Sequence, residues 1–261
     1  MPLIRSILHT LFMSLTVIPF TLTILLLRVC GANSMARYTV ARRWLKLSAD
    51  SAGWFCGIKV RMQGMENLPV HGQPGSEKGV VLLCKHQSTY ETFLMPAIMP
   101  RALAYVFKKE LLSIPFFGWS IGSLDMIHID RKHGSRAFHK VVEQGKRLLA
   151  QGIWVIMFPE GTRVARGEVG EYKTGATRLA IMTGVPVVPI AVTSAKCWPR
   201  KSSVKTPGVV DVSVGPMIAS AGRKHEELMV EVQAWIEAEM RRLDPEAYPA
   251  ATAAISNDGQ A

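Results

Sequence analysis

The 261-residue chain is 48% hydrophobic and 20% charged, with a mean hydropathy of +0.17. That is apolar material enough for one sizeable core, and it excludes a disordered chain, a collagen-like repeat and a small disulfide scaffold. Its 31 Lys and Arg against 20 Asp and Glu leave a formal charge of +11, so an anionic partner is expected: nucleic acid, an anionic membrane surface or a phosphorylated substrate.

The first element is apolar. Ile7 to Leu27 holds 21 residues without a charged side chain, between Arg5 and Arg28, and a helix of that length would reach about 30 Å, the thickness of a hydrocarbon core. Arg28 stands where a signal peptide would carry small residues for cleavage, so the run reads as an uncleaved anchor. His9, Ser14, four Thr and Pro19 inside it keep two geometries open, a full span and a hairpin in one leaflet. Asn33 and Ser34 are then cap candidates for a second helix ending near Cys56, with Arg37, Arg42, Arg43 and Lys46 beside Tyr38, Trp44, Leu47 and Trp54. It reads either as an amphipathic helix on anionic headgroups or as a solvated helix packed on the domain. The positive-inside rule puts everything after it in the cytoplasm.

Beyond Gly57, β-branched runs alternate with helical patterns. Strands are predicted over 58–63, 80–84, 103–107, 126–129, 153–158, 187–192 and 209–214, and helices over 89–99, 136–151, 175–183 and 223–242. The alternation implies a single α/β domain over 58–245, a mostly covered sheet of about seven strands flanked by helices. Residues 1–57 form the membrane-associated helical segment and 246–261 a frayed tail. Ser135 is placed as an N-cap and Gly152 and Gly184 as C-caps, while 66–79 reads as a loop. Cys30, Cys56, Cys84 and Cys197 show neither C-x-x-C nor metal-ligand spacing and are expected to be reduced, buried thiols.

Two islands carry chemistry. After the strand 80–84 comes Lys85-His86-Gln87-Ser88-Thr89-Tyr90-Glu91. On one continuous helix His86 and Glu91 would point about 140° apart, so they meet only if His86 is in the loop and Glu91 in the first turn. There Glu91 could fix the imidazole tautomer whose other nitrogen takes a proton. The competing reading is an S-x-x-E capping box, in which Glu91 only reaches back to the Ser88 N–H. The second island, Phe158-Pro159-Glu160-Gly161-Thr162-Arg163, favours a tight turn at a strand end. It presents the fork of Arg163 to an anion, or else holds a structural Glu-Arg pair. His128 and Asp130 share a strand face, with His133 and His139 following, in a spacing that fits no strong metal site.

Together the islands resemble the motifs of the 1-acyl-sn-glycerol-3-phosphate (lysophosphatidate) acyltransferases of the glycerolipid acyltransferase superfamily. His86 and Glu91 match the first motif, Lys108 to Trp119 the second, Phe158 to Arg163 the third and Val185 to Ile190 the fourth, in order; Ile127 to Arg131 and Tyr172 to Gly175 match further blocks. The family's acidic residue is usually Asp, one methylene shorter than Glu91, and its usual Asn before the His is here Lys85, whose charge is expected near the substrate.

The resemblance implies transfer of an acyl group from acyl-CoA or acyl-carrier protein to the 2-hydroxyl of lysophosphatidate, giving phosphatidate. His86 would be the general base steadied by Glu91, and no cofactor or metal is required. Arg163 and Lys109, then Lys173 and Arg131, are the expected phosphate ligands. Glu160 would hold the turn and orient Arg163. Gly161, Thr162 and the helix start after His86 would supply oxyanion donors, with Ser88 as a cap. The block from Ile114 to Trp119 reads as core, with an acyl groove or a bilayer face as alternatives. Other acceptors, such as glycerol-3-phosphate or a lyso-ornithine lipid, share the dyad, and a non-enzymatic basic membrane-binding protein is the remaining alternative. Without zinc-finger spacing or an RNP-like aromatic block, nucleic acid is not an expected partner; anionic membrane lipids are.

Overall fold

The computed structural model of the chain describes residues 1–69, 77–130 and 134–248. Its strands are β1 (Ile58–Gln63), β2 (Val81–Cys84), β3 (Leu103–Lys108), β4 (Ile127–Ile129), β5 (Trp154–Met157), β6 (Val187–Val192) and β7 (Gly208–Val214). They form one sheet in the order β1-β7-β6-β2-β5-β3-β4. Every neighbouring pair is parallel except β6 with β7. Among the described residues, seven α-helices accompany the sheet: α1 (Pro2–Val29), α2 (Ser34–Cys56), α3 (Tyr90–Ile98), α4 (Phe117–Ile121), α5 (Gly134–Ala150), α6 (Gly175–Thr183) and α7 (His225–Leu243).

The central strands are apolar on both faces because both faces are covered. Leu82 and Cys84 of β2 join Trp44, Ala52, Tyr90 and Leu94 from α2 and α3 in one buried cluster. Val81 and Leu83 point the other way, into a second cluster with Leu148 of α5, Leu179 of α6 and Val232 of α7. This is the expected α/β architecture with seven strands, and each predicted strand lies within a residue or so of its place. Gly152 and Gly184 take left-handed backbone at the ends of α5 and α6, as C-caps do. Ser135 is not a cap, since α5 already begins at Gly134. Residues 70–76 of the 66–79 loop lie outside the described residues.

The second helix is settled by packing. Arg42 donates to the carbonyls of Pro96 at 2.9 Å and Met99 at 2.8 Å, at the end of α3, and Arg37 to that of Ser123 at 2.8 Å. Trp44 and Tyr38 are buried. The basic and aromatic residues expected on headgroups thus mostly hold α2 against the domain, because the last carbonyls of a helix need donors. Only Arg43, Lys46 and Trp54 face outward from that set.

In α1 the usual amphipathic order is reversed. Ser6, His9 and Thr21 are buried, whereas Ile4, Leu8, Leu11, Leu15, Leu22 and Leu26 are exposed. The polar residues bind the domain along the helix: Ser6 Oγ accepts from Lys205 N at 2.8 Å, Thr16 Oγ1 from Trp44 Nε1 at 3.2 Å, and Thr21 Oγ1 lies 2.7 Å from Ser120 Oγ. Helix α1 is long and apolar enough to cross a bilayer. Beside it the 114–119 block is not core: Ile114 and Trp119 are 43% and 48% exposed. Thr21 bonds the Phe116 carbonyl, so the block extends the apolar face of α1. Cys30, at the end of α1, is likewise exposed, while Cys56, Cys84 and Cys197 are buried. At the other end of the chain, Glu246 to Tyr248 are not frayed. Tyr248 is 4% exposed because its ring fills the second core cluster.

Candidate active site

Parallel neighbours β2 and β5 place both chemical islands at their carboxyl ends, where open α/β sheets bind ligands. His86 lies in the loop between β2 and α3, and the 158–163 turn follows β5. His86 itself ties these segments together twice: Val164 N donates to the His86 carbonyl at 2.9 Å, and His86 N donates to Glu160 Oε1 at 3.3 Å.

Within the loop, His86 Nδ1 lies 2.9 Å from Glu91 Oε1. The same oxygen accepts from Gln87 N at 2.6 Å and Ser88 N at 2.7 Å. Glu91 is therefore both the partner of His86 and the reaching-back half of a capping box; the two sequence readings coexist. A fully buried carboxylate needs such donors, since desolvation of an unpaired charge is costly. With Nδ1–H given to Glu91, Nε2 is left as the ring's proton acceptor. Phe158 stacks on the imidazole with centroids 3.9 Å apart and planes at 16°, and Tyr105 stacks behind it at 6.1 Å. The extra methylene of Glu91 does not prevent contact.

Phe158 was legible only as a strand end, although it opens the six-residue block. Ser88 is fully buried, and its Oγ accepts from Tyr90 N at 3.0 Å. The N–H groups of Gln87, Ser88 and Tyr90, three of the expected oxyanion donors at the helix start, are thus committed, as is that of Gly161 to the Phe158 carbonyl at 3.0 Å. Gly161 has φ +66°, the left-handed turn that Gly permits, and Thr162 and Arg163 beside it are exposed.

Glu160 does not orient Arg163. Its buried carboxylate turns inward to His86 N and, at 3.5 Å, to Lys85 Nζ, and burial pushes its pKa up, only partly offset by Lys85. Lys85 is also not a substrate contact, being fully buried and paired with Glu237 Oε1 of α7 at 2.5 Å. Arg163 is exposed, with Nη1 donating to Thr89 Oγ1 at 2.6 Å. Arg200, which the sequence did not single out, donates to the Arg163 carbonyl. Lys109, after β3 on the same sheet edge, is 59% exposed and 4.0 Å from Asp130 Oδ2. Lys173 is exposed, its N–H bound to the Pro159 carbonyl at 2.9 Å. Arg131 lies outside the described residues.

An acyltransferase family model matches residues 59–193. A 1-acyl-sn-glycerol-3-phosphate acyltransferase of Pseudomonas aeruginosa is 37% identical over 214 residues, 80% of either chain. The alpha form of that enzyme in Mus musculus is 30% identical over 203 residues, 77% of this chain and 68% of that one. The crystal structure of the 1-acyl-sn-glycerophosphate (LPA) acyltransferase PlsC from Thermotoga maritima shares the fold, with a TM-score of 0.75 and 24% identity over 94% of this chain and 98% of that chain.

Proposed function

The chain belongs to the acyltransferase family, as an O-acyltransferase, and on that footing we propose that it makes phosphatidate with His86 as general base. The acyl group passes from acyl-CoA or acyl-carrier protein to the sn-2 hydroxyl of 1-acyl-sn-glycerol-3-phosphate. The observation that carries this reading is the 2.9 Å contact from His86 Nδ1 to buried Glu91 Oε1, which leaves Nε2 to act on a hydroxyl.

The hydroxyl oxygen attacks the thioester carbonyl as its proton passes to Nε2. The tetrahedral intermediate collapses, its C–S bond breaks, and the leaving thiolate takes the proton back, giving an ester and a free thiol. Glu91 keeps the ring in one tautomer and offsets the imidazolium formed in between. Phe158 limits the ring's rotation. With the N–H groups of Gln87, Ser88 and Tyr90 occupied, and that of Gly161 bound to the Phe158 carbonyl at 3.0 Å, oxyanion stabilisation falls to exposed Thr162 in the 160–163 turn. Arg163, exposed at the mouth, takes the acceptor's phosphate, with Lys109 and Lys173 as further cations on that edge.

The assay is phosphatidate formation by purified protein with each donor class and with lysophosphatidate or glycerol-3-phosphate as acceptor. Phosphatidate from lysophosphatidate is expected; acylation of glycerol-3-phosphate alone would overturn the acceptor assignment.

The reading of the anchor is that α1 lies in the plane of one leaflet on the cytoplasmic side, leucines outward, with the site opening toward the lipid. Its support is the row of polar residues fixed to the domain along its length. A membrane-impermeant maleimide should then label Pro2→Cys and native Cys30 from the same side of sealed vesicles. Labelling from opposite sides would establish a span.

A further inference from the structure

His86 is flanked by Lys85 and Gln87, and both neighbours are held from the far end of the chain, beyond the matched residues 59–193. Lys85 is fully buried and meets Glu237 Oε1 of α7 at 2.5 Å, with Glu160 Oε1 at 3.5 Å and the Glu168 carbonyl at 3.4 Å. Tyr172 donates its hydroxyl to the same Glu237 oxygen at 2.7 Å; burial, then the Glu160 and Glu237 carboxylates, push its pKa far up, so the proton stays available. On the other side, Gln87 Nε2 donates to the hydroxyl of Tyr248 at 2.6 Å. The turn carrying Tyr248 is fastened in its own right, Arg166 reaching both Asp244 oxygens at 2.7 Å.

We propose that α7 and the turn after it clamp the catalytic loop: Glu237 through Lys85, and Tyr248 through Gln87, are positioning residues that set where His86 stands for acyl transfer. The inference rests on the His86–Glu91 reading above.

Lys85 is the cation shared by two buried carboxylates, Glu160 and Glu237, and Glu160 is the acceptor of the His86 N–H. If Glu237 loses its charge, the ammonium keeps only Glu160 as a charged partner and is drawn toward it. The oxygen that receives the His86 N–H then moves, and the imidazole with it. Near-attack geometry is steep in distance: a displacement of about 1 Å costs about 100-fold in rate. Removing Lys85 alone is worse, leaving two buried carboxylates without a cation, whereas removing Lys85 and Glu237 together leaves one, Glu160, and so costs less.

The test measures kcat and KM for lysophosphatidate on folded protein, with thermal unfolding alongside. Glu237→Gln, which preserves shape and can still accept from Lys85 and Tyr172, should lose about 10–100-fold in kcat with KM within about twofold of wild type. Tyr248→Phe should lose kcat about 3–10-fold by leaving Gln87 Nε2 with the longer 3.3 Å bond to the Ala165 carbonyl in place of the 2.6 Å bond to the hydroxyl. Lys85→Met should lose more than either, and Lys85→Met combined with Glu237→Leu should recover part of that loss, the coupling expected of two residues that act as one unit. Wild-type kcat in folded Glu237→Gln and Tyr248→Phe would overturn the clamp; should Glu237→Gln not fold, Tyr248→Phe decides alone. Full activity of His86→Ala in the same assay would instead overturn the dyad.

Discussion

His86→Ala is expected to lower kcat for phosphatidate formation by about 10³–10⁴-fold, about 4–5.5 kcal/mol of transition-state stabilisation, with little change in unfolding temperature. The fall is expected to be large because the proposed base is the imidazole, and an alcohol is a weak nucleophile without one. KM for lysophosphatidate should change little, since the proposed phosphate ligand is Arg163 and not His86. The side chain is only 15% exposed but is packed on Phe158, so the truncation leaves a small slot beside an aromatic ring and not a hole in the core. Activity in the variant above about a tenth of wild type would remove His86 from the base role.

Arg163→Ala has the second largest expected effect, and it falls on binding. If the exposed guanidinium meets the phosphate as proposed, its loss should raise KM for lysophosphatidate about 10–100-fold, in line with about 1.5–3 kcal/mol for a hydrogen bond to a charged group. Arg163→Lys should recover only part of this, because an ammonium restores the charge but not the planar fork. Monoacylglycerol separates the possibilities. Lacking the phosphate, it should be acylated poorly and about equally by wild type and Arg163→Ala. An equal fall with both acceptors would mean that Arg163 acts by holding Thr89, to which it donates at 2.6 Å, and not on the substrate.

How much of this was legible beforehand depends on the range of each interaction. The sheet was legible because central strands buried on both faces read as β-branched runs, and the His86 loop because its partners, Glu91 and Ser88, lie within five residues. What the sequence concealed is long-range. Lys85 looks like a substrate contact until Glu237, 152 residues away, comes to 2.5 Å. Glu160 looks like a mate for Arg163 until the β2–β5 pairing brings His86 N–H to it. In the same way, the arginines of α2 look like headgroup ligands until the end of α3 supplies carbonyls for Arg42. The apolar block at 114–119 has core composition but sits where α1 exposes its leucines, and composition alone does not distinguish a protein interior from a lipid-facing surface. Phe158 carries a signal only by its place in the motif, since nothing local requires an aromatic ring at a strand end.

Glu91→Gln bears most directly on the dyad, because it separates charge from capping. Glutamine keeps an oxygen for the Gln87 and Ser88 N–H groups, now held by Glu91 at 2.6 and 2.7 Å, so the loop and α3 should persist with an unchanged unfolding temperature. The amide can no longer stabilise the imidazolium, and kcat should fall by about 10²–10⁴-fold. A folded Glu91→Gln protein with wild-type kcat would contradict the account, leaving Glu91 as a helix cap and His86 without the partner on which its role depends.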